Sequence, residues 1–112
     1  MTLERILVVH DEEHIREIFA QLLAAEGYEV VGCGTIEEVM GILDAGEFDL
    51  AFVDIRLGAQ SGLDVLWLVL NRLPLSSVMI VTGSPTIETA AEAHRHGALD
   101  YIGEPVRQAC WH

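Results

Sequence analysis

Several short apolar runs in this chain end in residues able to do chemistry. Ile6 to Val9 leads into His10, Asp11 and Glu12; Asp49 to Val53 leads into Asp54; Val78 to Thr82 closes on a hydroxyl; and Leu99 to Ile102 is followed by Glu104 and Pro105. Carboxylates gathered at one place repel each other unless a cation sits among them. Oxygen donors of this type suit a hard divalent ion, Mg²⁺ above all. An aspartate beside such an ion and a hydroxyl is arranged for carboxylate attack on phosphorus.

Bringing those residues together is the task of the elements between them. The apolar runs have strand length and are β-branched, as expected for strands covered on both faces. Amphipathic stretches separate them. From Glu12 to Glu26 the apolar positions Ile15, Ile18, Phe19, Leu22 and Leu23 fall at helical spacing, and Gly27 supplies a stop. Tyr28 to Cys33 reads as a second strand. Thr35 with Glu38 forms a capping box for a helix through about Ala45, and Gly46 ends it. The loop from Arg56 to Gly62 precedes an apolar helix from Leu63 to Arg72, closed by Pro74. Ser84-Pro85 opens a last clear helix, which runs to His96 and stops at Gly97. Strict alternation of strand and helix predicts an α/β domain, a doubly wound five-stranded parallel sheet with helices on both faces. In such sheets ligands gather at the carboxyl ends of the strands, where the chemical residues stand.

The bulk properties narrow the function further. The chain has 112 residues, 51% hydrophobic and 21% charged, enough for a single domain. Its formal net charge is −12, from 18 acids against 6 bases, every base an arginine. So acidic a surface repels phosphate backbones and anionic lipid, so neither nucleic acid nor a membrane is an expected partner. No apolar run is long enough to span a bilayer and no signal pattern opens the chain, which makes a cytoplasmic location the expectation. Cys33 and Cys110 lie far apart and read as reduced thiols.

The segments ILVVHDEEHIRE, DLAFVDIRLGAQSGLDVL and MIVTGSPTIETAAEAHRHGALDYIGEP resemble, in order, the signature blocks of the receiver domain of bacterial two-component response regulators, over Ile6 to Pro105. The resemblance implies the flavodoxin-like receiver fold for residues 1–112. It implies that Asp54 is the phosphoacceptor, that Asp11 and Asp54 bind Mg²⁺ with the backbone carbonyl of Arg56, that Thr82 meets the phosphoryl group, and that Tyr101 is the aromatic switch. It implies a histidine kinase as phosphodonor, and an output domain or a homodimer as the reader of the switch. Such a domain is not an enzyme beyond Mg²⁺-dependent self-phosphorylation and dephosphorylation.

Three positions depart from the family pattern. His10 stands where the first of two paired acids is found, Glu104 stands where the lysine is found, and Gly58 replaces a frequent proline. No lysine exists in the chain to substitute. Two unit charges about 4 Å apart interact by roughly 4 kcal/mol at an effective dielectric near 20. Exchanging an attractive lysine for a repulsive glutamate therefore works against a phosphoryl group. His10 and Glu104 then join the candidate cation ligands, and a degenerate, phosphorylation-independent interaction module becomes the alternative function. After Pro105 only a short or missing last helix fits, which points either to a fragment of a longer regulator or to a remnant covered by a partner.

Other classes fit less well. His10 and His14 have the spacing of a zinc-protease helix, but His10 ends a strand and the residue after it is Asp. An aspartate-nucleophile phosphatase needs a second acid two residues after the nucleophile, where this chain has Arg56. A flavin phosphate loop would be rich in glycine and hydroxyls, and HDEEH is its electrostatic opposite. Trp67 makes its helix apolar nearly all round, predicting an exposed patch. His94 is expected to be half-buried packing.

Overall fold

The computed structural model describes residues 4–83 and 85–103. Its order is β1 (Arg5–Val9), α1 (Glu13–Ala25), β2 (Glu29–Cys33), α2 (Ile36–Ala45), β3 (Leu50–Asp54), β4 (Arg56–Leu57), β5 (Gln60–Ser61), α3 (Gly62–Arg72), β6 (Ser77–Thr82), α4 (Ile87–Arg95) and β7 (Asp100–Gly103). Five strands pair in parallel in the order β2-β1-β3-β6-β7. The doubly wound sheet expected from the alternation is present. Expectations about a last helix fall on residues 104–112, outside the described residues.

Strand alternation divides the core into two layers. Leu7, Val9, Ala51, Val53, Val78 and Ile80 face Val39 and Leu43 of α2, Val65, Leu66 and Val69 of α3, and Ala93 of α4. Ile6, Val8, Phe52 and Val81 face Phe19 and Leu23 of α1, with the Phe19 and Phe52 rings 5.5 Å apart. Burying each such side chain is worth roughly 2 kcal/mol, so these apolar runs carry much of the stability of the sheet. No helix among the described residues is long and apolar enough to cross a membrane.

Local details refine the expected boundaries. The capping box at α2 forms, with the Glu38 amide donating to Thr35 Oγ1 at 3.2 Å, but Glu38 Oε1 accepts from the Gly34 amide at 3.1 Å. The expected helix start at Ser84-Pro85 is displaced. Thr86 is the N-cap of α4, its hydroxyl accepting from the Thr89 amide at 3.0 Å, so Pro85 lies outside the helix. A side-chain cap satisfies a helix donor that proline cannot. The loop after β3 contains a two-residue antiparallel pair, β4 with β5, rather than an open turn. Trp67 is exposed as expected, whereas His94 is exposed rather than packed.

Candidate functional site

Register sets the site. Val9 pairs with Val53 and Asp54 with Val81, so the residue after β1 lies level with the last residue of β3 and beside the end of β6. His10, Asp54 and Thr82 are all buried there, at 6%, 7% and 1% exposure, while Asp11 is exposed. Together with Glu12, Arg56 and Gly83 they line a cavity of about 230 Å³ at the carboxyl edge of the sheet.

The Asp54 carboxylate is held from two sides. Its Oδ1 accepts the Arg56 amide at 3.4 Å, and its Oδ2 lies 3.3 Å from His10 Nε2. The other ring nitrogen, Nδ1, accepts the Glu12 amide at 3.1 Å. A neutral imidazole with Nδ1 accepting carries its proton on Nε2, so this pattern assigns His10 as a donor to Asp54. His10 is fixed by its backbone as well, its amide donating to Cys33 O at 3.0 Å and its carbonyl accepting the Arg16 guanidinium at 2.5 Å.

Asp11 does not cap α1; the N-cap there is Glu12, without a side-chain cap bond. Asp11 Oδ2 accepts the Gly58 amide at 3.2 Å, and its Oδ1 lies 3.4 Å from His10 Nδ1. By distance alone His10, Asp11 and Asp54 could share a cation, each offering a donor atom within 4.8 Å of the others. Two carboxylates suit a hard divalent ion, whereas the Nδ1 lone pair of the imidazole already accepts the Glu12 amide. Glu104 lies outside the described residues.

The loop after Asp54 explains two glycines. Gly58 has φ +62°, which a proline cannot adopt, and its N–H is the one that holds Asp11. A Cβ on Gly62 would lie 1.9 Å from the Asp54 carbonyl oxygen, so only glycine lets α3 start this close to the site. Gln60 reaches across to α2, where its Oε1 accepts the Ile36 amide at 3.2 Å and its Nε2 donates to Glu37 at 3.0 Å. That carboxylate is held below its ordinary range, first by a backbone amide and then by the Gln60 amide. Sequence reasoning found none of these roles except as departures or loop residues; the glycine pair flanking Gln60 was the available signal.

Tyr101 stands apart from the cavity. Its hydroxyl accepts the Thr86 amide at 3.2 Å and pairs with Thr89 Oγ1 at 2.5 Å, tying β7 to the start of α4. Cys33 closes β2 near His10 but faces the core; burial above all, with the Glu38 charge and against Arg16, pushes its thiol up to about 12.

The profile of the response regulator receiver domain matches residues 6–110. This chain belongs to the response regulator receiver domain family. Among its relatives is the alginate biosynthesis transcriptional regulatory protein AlgB of Pseudomonas aeruginosa, 40% identical over 101 residues, a match covering 90% of this chain and 22% of AlgB. The receiver thus spans about a fifth of that relative's length. A CheY-like receiver domain protein from Methanospirillum hungatei superposes with a TM-score of 0.90 at 33% identity, covering 95% of this chain and 85% of the other. A response regulator from Burkholderia pseudomallei, solved with a phosphorylated aspartic acid, a calcium ion and citrate, gives 0.89 at 29% identity, covering 93% of this chain and 61% of the other. The receiver fold and membership in two-component signalling follow from these matches.

Proposed function

We propose that this receiver accepts a phosphoryl group on Asp54 from a partner histidine kinase and passes the change to an output domain or a second copy. The observation that carries the reading is the shared cavity of His10, Asp11, Asp54, Arg56 and Thr82 at the carboxyl edge, with Asp54 closing the central strand. In the transfer, an Asp54 carboxylate oxygen forms a bond to phosphorus as the bond from phosphorus to the donor's histidine nitrogen breaks, and the departing imidazole regains its proton from solvent. Asp11, Asp54 and the Arg56 carbonyl are the residues that would hold Mg²⁺, which when bound offsets charge on the phosphoryl oxygens. The Thr82 hydroxyl ends β6 beside the cavity, suited to meet a phosphoryl oxygen, and Tyr101 is the aromatic group placed to respond through α4. The phosphorylated aspartic acid and calcium ion of the Burkholderia pseudomallei neighbour support the assignment.

A second reading has an observation of its own: the contact of His10 Nε2 with Asp54 Oδ2, in a chain without any lysine, favours a receiver that signals through protein contacts without phosphate. Intact-protein mass spectrometry after incubation with Mg²⁺ and a small-molecule phosphodonor separates the two. A gain of one phosphoryl group in the wild type, absent in Asp54→Asn, is the expected result. A folded wild type that gains nothing overturns phosphotransfer and leaves the interaction module.

A further inference from the structure

His10 occupies a position where family members carry an acid, and its imidazole could act in two opposite ways. As a ligand it would add a nitrogen donor to Asp11 and Asp54 and shift the preference toward transition metals. As a donor it would compete with any cation for Asp54. Ligation through Nε2 and donation from Nε2 place the ring proton on different atoms, so the hydrogen bonds separate those two roles. The Glu12 amide points at Nδ1 at 3.1 Å, which places the lone pair there and the proton on Nε2. Nε2 faces Asp54 Oδ2 at 3.3 Å. Ligation through Nε2 would make Nδ1 the donor, whereas here Nδ1 accepts; ligation through Nδ1, which lies 3.4 Å from Asp11 Oδ1, would have to displace the Glu12 amide.

The backbone makes this arrangement stiff. The His10 amide continues the β1–β2 ladder to Cys33 O, and Arg16 binds the His10 carbonyl. A Cβ on Gly34 would lie 2.8 Å from Arg16 Nη1, where that side chain straps across the end of β2. The ring is buried and cannot swing away cheaply. Asp11 is held in parallel, its Oδ2 bound by the Gly58 amide at 3.2 Å. Both carboxylates that would take a divalent ion are thus engaged by donors of the chain itself.

We infer that His10 is a positioning residue that holds the Asp54 carboxylate through Nε2–H and does not ligate the cation, so that Mg²⁺ binds in competition with this hydrogen bond. The inference rests on reading Asp54 as the phosphoacceptor that works with Mg²⁺, but its test needs no phosphodonor. An ion approaching Asp54 meets the positive end of the N–H dipole, and the negative charge an acid would supply at this position is missing. The receiver therefore binds Mg²⁺ weakly for its family, and the cause is one side chain.

Calorimetric Mg²⁺ titration of the wild type, His10→Ala and His10→Asp tests this directly. Removing a competing donor leaves Mg²⁺ binding by His10→Ala as tight as the wild type or tighter, and the restored acid in His10→Asp tightens it by about tenfold or more. Long-range ¹H–¹⁵N spectra of the wild type give the tautomer independently of any variant's folding, with Nδ1 expected unprotonated and Nε2 protonated. Weaker Mg²⁺ binding by His10→Ala would make the imidazole a ligand and overturn the inference. So would a proton on Nδ1, or His10→Asp binding no better than the wild type. Failure of Asp54 to take up phosphate leaves all of these readouts as they are, so it is told apart from failure here.

Discussion

Asp49 and Asp54 bracket β3, one just before its first residue and one at its last, and they are built into the fold in different ways. Asp49 is exposed and fully committed to its neighbours: its Oδ2 accepts the Arg5 amide at 3.0 Å, its own amide donates to Arg5 O at 3.0 Å, and its carbonyl accepts from Ser77. It pins the starts of β1, β3 and β6. Asp54 is buried among a histidine, a second aspartate and a strand-end hydroxyl. The same contrast holds for the two edges of the sheet. The amino edge has the larger cavity, about 620 Å³, yet its charges answer each other: Arg5 lies 3.2 Å from Glu29 and 4.7 Å over the Phe48 ring, and Arg72 pairs with Asp44. Cavity size does not mark the site. Convergent polar groups at the carboxyl ends of the strands do.

The sharpest way to break the carboxyl edge is Gly62→Ala. Its methyl carbon would collide with the backbone of Asp54 and Ile55, so a loss of roughly 3 kcal/mol or more is expected in denaturant unfolding. A variant as stable as the wild type would show that α3 can back away from the site. Next comes the aspartate pair. Asp49→Ala should cost about 1 kcal/mol, a fall in melting midpoint of roughly 4–8 °C, while leaving phosphoryl uptake unchanged. Asp54→Asn should do the reverse, moving stability by less than about 1 kcal/mol and abolishing uptake. If both lose stability alike, the division between a structural and a reactive end of β3 is wrong. The smallest effect belongs to Cys33. Its thiol titrates near 12 when folded against an ordinary 9.0, so the unfolded chain releases a proton first. Stability is unaffected by this group below pH 9.0 and falls as pH rises from there toward 12. Removing the thiol in Cys33→Ala should flatten that alkaline slope, and alkylation of native Cys33 at pH 8 should be slow beside that of the unfolded chain.

Much of this was legible in the sequence because it depends on local pattern. The apolar runs gave five strands in order, the helices alternating with them made the sheet parallel, and strand ends located His10, Asp11, Asp54 and Thr82. What was not legible depends on direction. No pattern says which nitrogen of His10 accepts the Glu12 amide, or that Gly58 turns its N–H toward Asp11. Pro85 suggested a helix start, but the Thr86 hydroxyl two residues from Ser84 competes for the same end and caps it. His94 fell on the helical spacing of apolar residues and is exposed nonetheless, because α4 buries only Ala93 fully. The β4–β5 pair is too short to leave a period, and the close approach at Gly62 is visible only once α3 and β3 are placed.

Gln60 has a practical consequence. Its side chain is the acceptor for the first amide of α2, while its backbone belongs to the loop that follows Asp54. The hydrogen-exchange rate of the Ile36 amide is therefore a remote gauge of that loop: whenever the segment beyond Asp54 lifts, Ile36 loses its protection, and a spectroscopist can watch the loop from the start of α2.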